Sequence, residues 1–185
     1  MNPPGITRHR RPFLAPLWLT LLAVLVAAGI AYTAWRGATS SMVVLVSVGE
    51  KDPGTIDDPP ISAEGEQRAQ RLAQLFAGSA GAGRLDALYV SSERRAQQTA
   101  APLAERLHLT PNVFAVQEAG GSVAGLLRSR EGSAVLVVAG GAAVQQLLRQ
   151  LAGTASPADA VSEPDLLYIV SLPSVGHPHV LRLRY

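Results

Sequence analysis

Three short segments gather the residue types that chemistry needs: Ser47-Val48-Gly49-Glu50-Lys51, Ser91-Ser92-Glu93-Arg94-Arg95 and Ala139-Gly140-Gly141. Arg95 offers a permanent positive charge with several donors in a fixed fork. Gly140 and Gly141 stand between an apolar run and a stretch of helical spacing, where backbone N–H groups point at a ligand. Together these groups fit a phosphate-like anion. Nucleophilic chemistry is harder to assemble, because Ser47 and Ser91 have no His or Lys base beside them. The four histidines are scattered. His9 lies in the first dozen residues, His108 ends a helical stretch, and His177 and His179 flank Pro178. The His-x-His spacing is one that could ligate a metal, but it reads more simply as two exposed turn residues. No metal and no cofactor is expected.

Each of the three segments follows a strand-like run. Met42–Val46 is continuous and β-branched, the pattern of a strand covered on both faces. Leu85–Val90 and Ala134–Val138 read as two further strands. Helical spacing separates them. Ser62 is a good N-cap, Glu64 and Glu66 favour the helix dipole, and Ala69, Leu72, Ala73 and Phe76 line one face. Arg94 to Leu107 repeats the pattern with Ala96, Ala100, Leu103, Ala104 and Leu107, as does Ala142–Leu151. Val113–Val116 reads as a short strand and Gly121–Arg128 as a helical turn. Leu166–Leu172 and Val180–Leu183, joined by a Pro- and Gly-containing loop, read as a hairpin. Alternating strands and helices predict a three-layer α/β/α fold on a mostly parallel sheet. Ligands of such sheets sit beyond the carboxyl ends of the strands, where the three segments fall.

These segments resemble the histidine phosphatase superfamily, the phosphoglycerate mutase-like proteins. Ile61-Ser62-Ala63-Glu64-Gly65-Glu66-Gln67-Arg68-Ala69 is similar to the family's first-helix pattern. Tyr89-Val90-Ser91-Ser92-Glu93-Arg94-Arg95-Ala96-Gln97-Gln98-Thr99-Ala100 resembles its second block, and Val135–Val138 the strand before its last active-site loop. The resemblance runs from about Met42 to Leu183. It implies phosphoryl transfer through a phosphohistidine, with the first strand ending in Arg-His-Gly-Glu and the last loop carrying Gly-His. Here those places read Ser47-Val48-Gly49-Glu50 and Ala139-Gly140. The arginine is thus Ser47, the nucleophile Val48 and the second histidine Gly140. Arg95 remains of the phosphate cage, and Glu118 falls near the family's acid/base carboxylate. A valine side chain cannot form the covalent intermediate.

The first 36 residues differ in style. They hold no acidic residue, and Arg8, Arg10, Arg11 and Arg36 are their charged side chains. Pro12–Trp35 is uncharged, and roughly 20 apolar residues span a hydrocarbon core. Trp18, Tyr32 and Trp35 suit the interfaces. The sequence therefore predicts a basic cytoplasmic tail over 1–11 and a transmembrane signal-anchor helix over 12–35. A linker over 36–41 and a domain over 42–185 follow. A signal peptide cleaved near Gly29-Ile30-Ala31 is the competing reading. The arginine excess before the run predicts a cytoplasmic N-terminus and, in a bacterium, an inner-membrane protein with a periplasmic domain. The protein's net charge is +2. Taking those four arginines from its 16 basic residues leaves 12 against 14 acidic ones, so nucleic-acid binding has little support.

The expected function is that of a membrane-anchored, catalytically silent family member that binds a phosphorylated ligand or a protein partner. Arg95, Gly140 and Gly141 would hold the phosphate. Two rivals stand beside it. One is a hydrolase using Ser47, or a metal at His177 and His179; the other is a purely structural interaction domain.

Overall fold

The computed structural model describes residues 17–37, 40–48, 58–77, 85–153, 166–174 and 176–185, the side chains of residues 17 and 34–37 apart. The chain divides into two compact units, Met1–Arg36 and Gly37–Tyr185.

In the first unit, helix α1 spans Leu17–Gly37. The expected membrane span does not survive. The helix starts five residues after Pro12, so the beginning of the apolar run lies outside the described residues, together with His9 and the Arg8–Arg11 cluster. Among the described residues no helix is long and apolar enough to cross a membrane. The transmembrane helix in the expected fold, and the single-pass inner-membrane localisation built on it, are corrected accordingly.

The second unit is an α/β fold on one six-stranded sheet. Its strands are β1 (Ser40–Ser47), β2 (Ala87–Ser91), β3 (Asn112–Phe114), β4 (Ala134–Ala139), β5 (Leu166–Pro173) and β6 (His179–Arg184). Their order is β3-β2-β4-β1-β5-β6. The pairs β1–β4, β2–β4 and β2–β3 are parallel. Strands β5 and β6 close one edge as an antiparallel hairpin laid against β1, so the sheet is mixed. Strand β1 begins at Ser40, inside the segment read as a linker. Ser41 is buried there, donating to the Arg130 carbonyl at 2.6 Å and accepting from the Gly132 N–H at 3.0 Å.

Helices α2 (Ala63–Ala77) and α3 (Arg94–Leu107) cover one face of the sheet. A π-helical turn (Ala119–Val123), α4 (Ala124–Ser129) and α5 (Gly141–Ala152) cover the other. The alternation of strand side chains divides the core accordingly. Val43, Leu45, Val135 and Val137 pack with Leu147, Leu148 and Leu151. Val44, Val46, Leu136 and Val138 pack with Leu72, Phe76 and Leu103. Two local signals decide helix starts as the sequence predicts: the Ser62 hydroxyl accepts from the Gly65 N–H at 3.2 Å, and α3 begins at Arg94.

Register brings the three chemical segments to one level. Ser47 of β1 lies opposite Ala139 of β4, and Val90 of β2 opposite Val138, one residue before Ser91. The carboxyl ends of three adjacent strands, β2, β4 and β1, therefore meet. The chain leaves β1 towards β2 and leaves β4 towards β5, in opposite senses across the sheet. That divergence opens the crevice in which such folds hold ligands.

Candidate active site

At the floor of this crevice stand Ser47 and Val48. Both are buried, at 7% and 6% exposure, and the Val48 N–H donates to the Ala139 carbonyl at 3.0 Å. That bond extends the β1–β4 ladder by one residue. The Val48 side chain joins the apolar cluster beneath α2 and α3. The rest of this loop, Gly49, Glu50 and Lys51, lies outside the described residues.

The second wall is the β2–α3 junction. Ser91 has no exposed surface. Glu93 is the N-cap of α3 in extended conformation, yet its side chain caps nothing in its own helix. Asp58 takes over that task from outside: its carboxylate accepts from the Arg94 N–H at 2.9 and 3.2 Å. Glu93 is thereby free to reach across the crevice. Its Oε2 accepts from the Ser91 hydroxyl at 2.9 Å and from the Gly140 N–H at 3.0 Å. Its Oε1 lies 3.6 Å from an Arg95 guanidinium nitrogen.

The third wall is the β4–α5 turn. Gly140 is the N-cap of α5 and Gly141 its first residue. The Glu93 carboxylate thus rests at the positive end of that helix, where a negative charge is stabilised. Gly140 has an ordinary φ of −61°, so its lack of a side chain serves space and not backbone freedom. A Cβ there would lie 2.7 Å from Glu93 Oε2 and 3.0 Å from Oε1. Ser91, Arg95 and the Gly140 N–H form a cradle around the protein's own Glu93 carboxylate.

The fold and its loops have relatives. The family model described as histidine phosphatase superfamily (branch 1) matches residues 49–116. A solved structure of the protein histidine phosphatase SixA complexed with tungstate superposes with a TM-score of 0.63 at 19% identity, over 77% of this chain and 96% of that one. A phosphoserine phosphatase from Entamoeba histolytica, in complex with 3-phosphoglyceric acid, gives 0.58 at 16%, over 78% and 97%. A mycobacterial glucosyl-3-phosphoglycerate phosphatase gives 0.55 at 15%, again over 78% and 97%. No curated protein matches. The match to the histidine phosphatase superfamily model covers 68 of the 185 residues, and the solved structures share the fold.

The other residues singled out in the sequence lie apart from the cradle or serve locally. Glu118 is exposed in a 3-10 turn (Val116–Glu118), where its carboxylate accepts from the Ala115 N–H at 3.4 Å. His108 is the left-handed C-cap of α3, with a φ of 53°. His177 and His179 are exposed beside and on β6, and no group of residues suited to a metal occurs among the described residues.

The link from Glu93 to Gly140, 47 residues away, is not readable along the chain. One faint signal existed. Glutamate is a poor N-cap residue, and a carboxylate that does not cap its own helix is available for another partner.

Proposed function

We propose that this domain acts by binding rather than by phosphoryl transfer. The carrying observation is Val48. Where the family resemblance puts the nucleophilic histidine, the chain has a buried isopropyl group packed into the core. Covalent phosphoryl transfer needs an imidazole nitrogen in line with phosphorus, and valine has no lone pair to supply. The loss is not made good nearby. Ser47 is buried, and Ser91 is fully buried with its hydroxyl committed to a carboxylate. The arrangement that remains is one guanidinium, one hydroxyl and one helix-terminal N–H. It suits recognition of a single anionic group on a phosphorylated ligand or partner, and it falls short of stabilising the charge that spreads over a transferring phosphoryl group.

The test is turnover by the full chain. Purified protein assayed with p-nitrophenyl phosphate and with a phosphohistidine peptide should match its Arg95→Ala variant. Turnover in the parent that disappears with Arg95 would overturn the proposal and restore an enzyme reading.

A further inference from the structure

The contact between Glu93 and Gly140 has the geometry of a lock. It takes three arrangements to make it. Asp58 relieves Glu93 of capping α3. Gly140 leaves the space into which the carboxylate fits, since a Cβ there would press on both carboxylate oxygens. Ser91 and the Gly140 N–H then converge on one oxygen while Arg95 faces the other.

We infer that Glu93 is a tethered anion that holds the cradle shut against external anions, with Gly140 as the residue that admits it. This rests on the reading of the domain as a binding module and adds how its site is regulated. The carboxylate acts in two ways. It occupies the donors that an incoming phosphate oxygen would use, and it cancels the Arg95 charge that would attract one. The guanidinium is not exhausted by this contact, because Arg95 Nε is buried with no hydrogen-bond partner. Donor capacity is therefore left for a ligand once the carboxylate leaves. A tethered group competes at an effective concentration of roughly millimolar or more, so a weakly held external anion loses to it. Opening the site requires Glu93 to swing out, and a ligand or partner that engages the Glu93 side chain would open it.

The experiment is titration of the isotope-labelled full chain with inorganic phosphate, followed by amide NMR, beside Glu93→Ala and the double variant Glu93→Ala/Arg95→Ala. The parent should show no saturable shift at the Ser91 and Gly140 amides in the low millimolar range. Glu93→Ala should bind phosphate at least about tenfold more tightly than the parent, and the double variant should lose that gain. Equal affinity in parent and Glu93→Ala would overturn the lock, as would no binding by a Glu93→Ala protein whose spectrum stays dispersed. Should Glu93→Ala fail to fold, Glu93→Gln, which keeps the shape and removes the competing negative charge, should likewise bind phosphate more tightly than the parent. Turnover in the phosphatase assay would refute the binding reading and leave this titration unaffected, so the two failures are separable.

Discussion

Replacing Gly140 with alanine adds one methyl group and should unseat a carboxylate 47 residues away in sequence. The new Cβ would lie 2.7 Å from Glu93 Oε2 and 3.0 Å from Oε1, both far inside van der Waals contact. A glutamate end moves more easily than a helix start, so Glu93 rotates outward. Two charge-assisted hydrogen bonds and the Arg95 ion pair go with it. Such hydrogen bonds contribute about 1.5–3 kcal/mol each when well shielded, and a stranded buried hydroxyl such as that of Ser91 adds to the loss. Discounts apply. The Glu93 side chain is 28% exposed, so water recovers part of its solvation. A total near 2 kcal/mol is reasonable for these partly exposed charge-assisted contacts. Reduced freedom of the unfolded chain returns about 0.4–1 kcal/mol for Gly→Ala at a compatible φ. The net expectation is a loss of about 1–1.5 kcal/mol on those terms.

Urea unfolding followed by far-UV circular dichroism measures this. Tryptophan fluorescence would not, because Trp18 and Trp35 both lie in the Met1–Arg36 unit. The decisive quantity is the double-mutant cycle. Glu93→Ala alone should cost about 2 kcal/mol, but close to nothing once position 140 is alanine, since the contact is already gone. Additive losses in Gly140→Ala, Glu93→Ala and their combination would refute the reasoning.

Other outcomes follow from the same geometry. Rebuilding the family's residues by Ser47→Arg, Val48→His and Gly140→His should recover some phosphatase activity without a change at Glu93, because a side chain at 140 itself displaces the carboxylate; a folded triple variant with no activity until Glu93→Ala is added would contradict this. Asp58→Ala should destabilise the domain by about 1 kcal/mol through loss of the α3 cap, seen as a lower urea midpoint. Ser41→Ala should cost about 1–3 kcal/mol, because the buried hydroxyl serves two backbone groups of the α4–β4 turn. Hydrogen exchange at Gly132 should accelerate in that variant, and an unchanged rate would show that the turn holds itself.

The second unit's elements were legible along the chain because each is announced locally. Apolar runs placed β1, β2 and β4, helical spacing placed α2, α3 and α5, and Ser62 marked a helix start with its own hydroxyl. The family blocks, read on contiguous residues, were legible for the same reason. The apolar run at 12–35 was equally visible, but among the described residues no helix is long and apolar enough to cross a membrane. The antiparallel closure of the sheet by β5 against β1 was also hidden, since pairing partners lie far apart in sequence.

What the sequence by itself determined about the site is its chemical inventory: a valine at 48, a glycine at 140, one arginine at 95 and no histidine beside them. What only the tertiary structure decided is the use of Glu93. Its carboxylate could have capped its own helix, paired with Arg95 alone, or faced water. The register of β2 against β4 and the cap supplied by Asp58 send it to Gly140 instead. A hydrogen bond is settled by direction and distance, and those exist only after strands remote in sequence have been laid side by side.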